Sequence, residues 1–389
     1  MNRILIFCFL ALASNLSGQI DTLYFNDTDS ISIVKLSAVG DLMCHATQLS
    51  YAQVDSNSFD FKPCFAKVKP IFEESDFVMG NLETVVAGQE RGYLGYPVFN
   101  TPVEYLDALK YAGFDLIITA NNHATDQGKE GIINTAENIK MSGLKYSGTN
   151  IALNDINAIQ LFRSNEISFA VLSYTYGINL KNLDNEDMYM VNFIDLRRIR
   201  RDIYRARNEG AEIVILFFHF GKEYADEPNE YQKDIVSKSI DYGADIIIGS
   251  HPHTLQPIEF FKTNNAKLDT GFVAYSLGNF ISNQRWRYSD CGAILNFELE
   301  KNVYTNKIRL ASVDFIPIWV FKGNNGLSNV FEVLPTSKYA HSGSLNYLSE
   351  EDLLLMQQSL TDTREILNRN TNRSGEVFFS SDAPVRMSE

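Results

Sequence analysis

Apolar residues gather along this chain in short, nearly continuous runs, and each run closes on a polar motif. Ile31–Val39 ends at Gly40-Asp41, DFVM at Gly80-Asn81-Leu82-Glu83, and FDLIITA at Asn121-Asn122-His123. EIVILFF ends at His219, and DIII at Gly249-Ser250-His251-Pro252-His253. Between the runs lie helical patterns. Thr101-Pro102-Val103-Glu104 reads as a capping box with proline at the first helical position, opening a helix to about Ala112. Asp195 caps a basic amphipathic helix that ends before Gly210, and a third helix ends at Tyr242-Gly243. Continuous apolar runs alternating with helices predict βαβ units whose strands are buried on both faces. ISFAVLSY, GFVAYSLG and GAILNFELE alternate more and predict antiparallel strands, hence a second, mixed sheet. The expected fold is a layered α/β sandwich forming one domain over residues 31–330. From 335 to 389 the pattern changes. Ser349 and Asp352 predict a capping box for a peripheral helix through Leu367, followed by a polar, disordered tail. His341 is expected at the surface.

Composition narrows the function. The chain has 389 residues, 45% hydrophobic and 21% charged, with a net charge of −14. No stripe of phosphate-neutralising Lys and Arg stands out, which argues against nucleic-acid binding. It does not exclude an anionic substrate, because a bound cation can dominate the local field. Arg3 followed by the apolar run Ile4–Ala13 and then small and polar residues reads as a secretory signal peptide over 1–18. That run is too short to span a bilayer. A secreted or periplasmic protein is expected; a buried first strand and an uncleaved membrane anchor are the alternatives. Beyond Cys8 the cysteines are Cys44, Cys64 and Cys291, an odd number at irregular spacing, so neither a disulfide framework nor a Cys-rich zinc site is expected.

Five of the six histidines, His45, His123, His219, His251 and His253, fall just past predicted strand ends. In open α/β sheets, ligands bind beyond the carboxyl ends of the strands. Imidazoles arriving there with Asp41, Asn81, Glu83 and Asn122 form a donor set for a divalent metal, one or two ions. Mixed nitrogen and oxygen donors suit Mn, Fe or Zn better than Ca. Candidate ligands are Asp41, Asn81, Asn122, His219, His251 and His253. Candidate catalytic groups are His123 as acid, with Glu83 or Asp41 as base or further ligand. Pro252 is expected to hold the chain extended and to present His251 and His253 in a fixed relation. His45, Glu223, Tyr224 and Asn279 are candidate substrate contacts. The chain has no HExxH, P-loop, GxGxxG or GxSxG motif.

The segments AVGDLMCH, GNLETVV, GYPVFNTP, LIITANNHATDQG, FFHFGKEY, IIGSHPHTLQPIE and YSLGNFISNQ, in this order, resemble the CapA family of bacterial capsule (poly-γ-glutamate) synthesis proteins. That family is in turn similar to calcineurin-like metallophosphoesterases. The resemblance implies an α/β/β/α sandwich with two metals, to which the helix expected after Ser349 adds a C-terminal helical extension. It also implies an extracytoplasmic role in polyglutamate capsule synthesis, export or attachment, with an anionic polymer and a membrane-bound synthase as partners. By position, Asp41 matches the first aspartate, Asn81 the bridging aspartate, Asn122 and His123 the Asn–His motif, His219 the lone histidine, and His251 with His253 the final pair. The chain departs from the phosphoesterase pattern at Met43, where a histidine is usual, and at the neutral Asn81. Three functions remain: a metal-dependent hydrolase of the polymer, a non-catalytic polymer-binding or synthase-assembly factor, and a phosphoesterase on sugar phosphates, nucleotides or phospholipids.

Overall fold

A computed structural model describes residues 30–369 apart from 57 and 181, with the backbone of 378–380. The expected signal peptide and most of the expected polar tail lie outside the described residues. Strands β1 (Ile31–Leu42), β2 (Phe77–Leu82), β3 (Leu116–Ile118) and β4 (Lys145–Ser147) run parallel in one sheet. The chain then builds a second sheet from β5 (Leu161–Ser164), β6 (Ile167–Thr175), β7 (Ile213–His219), β8 (Ile246–Ser250), β9 (Leu255–Lys262) and β10 (Thr270–Leu277), in the order β5-β6-β7-β8-β10-β9. It returns to the first sheet with β11 (Asn279–Ile281), β12 (Cys291–Asn302), β13 (Ile308–Asn324) and β14 (Asn329–Pro335). That sheet reads β14-β13-β12-β1-β2-β3-β4, with β11 beside β1.

Six helices of seven or more residues occur in the described chain: α1 (Ala46–Ala52), α2 (Glu104–Ala112), α3 (Gly128–Met141), α4 (Leu196–Asn208), α5 (Glu230–Asp241) and α6 (Glu350–Leu367). Strand residues of one parity fill the space between the sheets: Leu36 and Ala38, Phe77 and Met79, Ile213, Ile215 and Phe217, Ile246 and Ile248. The other parity faces outward under helices. Val39, Val78 and Ile117 pack with Leu49 of α1 and Leu106 and Leu109 of α2. Val214, Leu216 and Phe218 pack with Ile199 and Ile203 of α4 and Ile235 of α5. The layers are therefore α/β/β/α. Each fully buried Leu, Ile or Phe contributes roughly 1.5–3 kcal/mol, so this double-sided burial supplies most of the driving force.

Several expectations change. β6 is antiparallel to β5 but parallel to β7, and β10 is antiparallel to β9 but parallel to β8, so neither is a purely antiparallel strand. The helix expected from Thr101 begins at Glu104 without a side-chain cap, because the Thr101 hydroxyl pairs with that of Thr84 at 2.7 Å. The domain boundary expected at 330 falls inside β14. The C-terminal helix is not peripheral: Met356 packs on Trp319, Phe321 and Leu334, while Ile366 and Leu367 join the core between the sheets. Within the expected tail, the backbone of Phe378–Ser380 lies parallel to β13. Asp195 and Ser349 cap α4 and α6 as the sequence predicts, His341 is exposed, and Cys44, Cys64 and Cys291 are free thiols.

Candidate metal centre

The parallel strands of both sheets deliver their carboxyl ends to one edge. β1 reaches it through Gly40, where an added Cβ would lie 1.9 Å from the Gly278 carbonyl oxygen. Only glycine lets β1 pass that close, and the Asp41 N–H then donates to Gly278 O at 2.9 Å. Register places Asp41 opposite Asn81 of β2 on one side and Asn279 of β11 on the other. Across the sandwich, His219 ends β7 opposite Ser250 of β8. Past β8 the chain is not extended as expected: His251 and His253 have φ of 99° and 57°. Left-handed backbone at a non-glycine residue costs of order 1–3 kcal/mol and concentrates at functional sites. Here it turns both rings inward, with centroids 4.7 Å apart for His219 and His251 and 6.1 Å for His251 and His253.

Two groups of ligand-bearing side chains result, Glu83 with His219 and His251, and Asp41 with Glu83 and His253, with ligand atoms in each group within 4.8 Å of one another. Glu83 belongs to both. All five side chains are buried. Glu83 Oε1 lies 3.6 Å from His219 Nε2 and 3.7 Å from His253 Nε2, and His253 Nδ1 lies 3.0 Å from Asp41 Oδ2. Asn81 turns its amide nitrogen toward the acids, donating to Asp41 Oδ1 at 2.8 Å, while its oxygen accepts from Asn121 at 3.2 Å. Asn122 Oδ1 meets His219 Nε2 at 2.9 Å, and Ser250 Oγ lies 3.0 Å from His219 Nδ1.

The electrostatics fit a cation. Among the described residues neither Asp41 nor Glu83 has a lysine or arginine partner. Burial, then the neighbouring Asp41 charge, raises the Glu83 carboxyl well above its ordinary range. Burial and the neighbouring imidazoles push His219 well down, and burial and His253 hold His251 down to about 3, so both rings favour the neutral form that a metal ligand requires. Glu83 Oε1 and His251 Nδ1 are buried with no hydrogen-bond partner among the described residues. Native proteins rarely leave such atoms unsatisfied without a reason, and ligation of a cation would supply one.

The other candidates surround this cluster. His123 is in neither group. Its Nδ1 lies 2.8 Å from Asp126 Oδ2, its Nε2 is 3.3 Å from Asn179 Nδ2, and its ring meets Phe99 edge-on. His123, His45, Glu223 and Tyr224 line a cleft that opens onto His253, together with Tyr96 and Trp286. Burial pushes the His45 imidazole down to about 4. Asn279 does not line the cleft; it is buried behind Asp41, with its amide nitrogen on Gln284 and Ser289 O. Sequence reasoning missed Tyr176, whose ring lies 4.5 Å from His251, and Asn179. Tyr176 follows the β6 end as the histidines follow theirs, the one signal that could have found it.

The fold and site define a class: an α/β/β/α sandwich with a buried imidazole–carboxylate cluster at its strand ends. Residues 35–284 match the family model described as bacterial capsule synthesis protein PGA_cap, and the chain belongs to that family. It is 30% identical over 290 residues to the PGA biosynthesis protein CapA of Bacillus subtilis (strain 168), covering 74% of this chain and 73% of that one. It is 27% identical over 298 residues to the capsule biosynthesis protein CapA of Bacillus anthracis, covering 74% and 68%. Among solved structures, the calcineurin-like phosphoesterase YfkN from Bacillus subtilis aligns with a TM-score of 0.45 at 14% identity, covering 86% of this chain and 98% of that one. The Haemophilus influenzae NAD nucleotidase aligns with a TM-score of 0.45 at 11% identity, covering 91% and 65%.

Proposed function

We propose that this protein is an extracytoplasmic, metal-dependent hydrolase that trims or processes an anionic capsule polymer, poly-γ-glutamate. The observation that carries the reading is Glu83, buried, unsatisfied at Oε1 and shared between two ligand groups. Asp41, Glu83 and His253 would hold one divalent ion, and Glu83, His219 and His251 a second, with Mn, Fe or Zn the best match to the donors. Lewis-acid polarisation of a carbonyl or phosphoryl oxygen is the chemistry such ions supply. The chain's own groups do the rest. Asn81 holds Asp41 in place, and Ser250 and Asn122 orient His219. His123 faces the cleft through Nε2 and delivers a proton to the leaving nitrogen or oxygen, while Asp126 stabilises the imidazolium through Nδ1. The name PGA biosynthesis protein of the Bacillus subtilis relative supports the substrate class, the capsule biosynthesis name of the Bacillus anthracis relative supports the process, and the apolar run after Arg3 supports export.

Elemental analysis of the purified protein, with incubation against poly-γ-glutamate and size analysis of the product, tests this. Bound Mn, Fe or Zn with shortening of the polymer is expected, both lost in His251→Ala/His253→Ala. A second reading, a non-catalytic polymer-binding or assembly factor, is favoured by Met43 and Asn81 standing where a histidine and a carboxylate are usual. It predicts polymer binding without shortening and indifference to Glu83→Gln. Cleavage of an aryl phosphate but not of the polymer would sink the first reading in favour of a phosphoesterase.

A further inference from the structure

Helix α4 carries six of the chain's 16 arginines within 13 residues. Its apolar residues Ile199, Ile203 and Ala206 are buried against the second sheet. Arg198 and Arg207 turn inward, Arg198 to Asp202 and Asn192, Arg207 to Asp245 and nearby carbonyls. Arg197, Arg200 and Arg201 are exposed on the outer face with Tyr204. Arg197 and Arg200 have no carboxylate partner among the described residues, and Arg201 shares Asp202 with Arg198. Arg200 lies over the Tyr242 ring at 5.8 Å. On neighbouring α5, Glu230 and Asp234 are occupied by that helix's own Lys233 and Lys238. The helix that the sequence marks as basic and amphipathic thus presents a cationic stripe on a protein of net charge −14.

The stripe begins at the strand edge that carries the candidate metal centre. The Ile194 N–H donates to Thr175 O at 2.8 Å, and Thr175 pairs with His219 in the β6–β7 register. Arg197 is therefore at the active edge, and Arg201 is one turn, about 6 Å, further along the axis. The cleft itself has no lysine or arginine among its lining residues, and it contains Glu223. A polyanion cannot be held there by charge on the protein.

We propose that the exposed face of α4 is the docking surface for a polycarboxylate chain, which runs from the cleft along Arg197, Arg200 and Arg201. Guanidinium groups match carboxylates in geometry as well as charge. A bilayer surface fits less well, because the face offers Tyr204 and no exposed aliphatic side chain to insert. The proposal rests on the polymer reading above and adds the surface that serves it.

The test is binding of labelled poly-γ-glutamate to the full chain, wild type against Arg197→Gln/Arg200→Gln/Arg201→Gln, over a series of salt concentrations. The expected results are at least about tenfold weaker binding in the variant at low salt and loss of the difference at high salt. Metal content, thermal midpoint and turnover of a short γ-glutamyl peptide should be unchanged. Equal binding by both proteins overturns the docking surface and leaves the polymer reading standing. No binding by the wild type at any salt overturns both. Capture of phosphatidylglycerol vesicles or of a DNA duplex through the same arginines, in preference to the polymer, also overturns it.

Discussion

Glu83 sits beside Asp41, and among the described residues no lysine or arginine balances either. Because burial and the Asp41 charge raise its folded-state pKa, ionising Glu83 inside the protein costs free energy that a neutral amide avoids. Two opposite effects should follow from Glu83→Gln. In metal-stripped protein the thermal midpoint should rise by about 2 °C or more, whereas bound metal measured by elemental analysis should disappear. A lower midpoint in chelator would show that the carboxylate stabilises the fold by itself. At this scale the sequence was partly legible. The imidazoles were found because strand ends in α/β sheets point at ligands. Asn81 and Glu83, two apart, share one side of an extended chain, so alternation alone could not say which reaches both ligand groups. The β1–β2 register, with its irregularity between Val39 and Asp41, settles that, and it is a tertiary fact. Tyr176 carried only one sign, its place just past the end of β6.

Strands buried on both faces were legible from their apolar runs, and helices from their caps at Asp195 and Ser349. Direction was not. A strand such as β6 or β10, with one parallel and one antiparallel neighbour, has the periodicity of neither class, because the pairing partner decides it. Element ends are where the site is made, and β1 illustrates the tolerance involved. Gly40→Ala would place a methyl group on the Gly278 carbonyl, and only backbone movement can relieve that. A loss of about 3 kcal/mol or more in urea unfolding is expected, with weakened metal retention, since Asp41 moves with the strand. A change within about 0.5 kcal/mol would mean that the β1–β11 crossing is soft and does not position the aspartate.

At the scale of the whole molecule, the two sheets are also tied by charge. Lys301 of β12, almost fully buried, donates to both carboxylate oxygens of Glu212, at 2.8 and 3.0 Å, just before β7 in the opposite sheet, and to Glu166 O at 2.7 Å. Lys267 reaches the same carboxylate. Burial alone would raise the Glu212 pKa, but the hydrogen bonds from Lys267 and Lys301 outweigh it and leave it below its ordinary 4.5. A carboxyl group whose pKa is lower folded than unfolded adds stability above the unfolded value and loses it as pH falls through the folded one. The tie is therefore at full strength above pH 4.5 and fades below it. Glu212→Gln keeps the shape and removes the charge, leaving Lys301 buried without its counter-ion, which is the costly half of a broken pair. The midpoint difference between wild type and Glu212→Gln should be largest at neutral pH and should shrink as pH is lowered past 4.5. A difference that stays constant from pH 7 into the acid range would mean that shape, rather than charge, joins the sheets at that point.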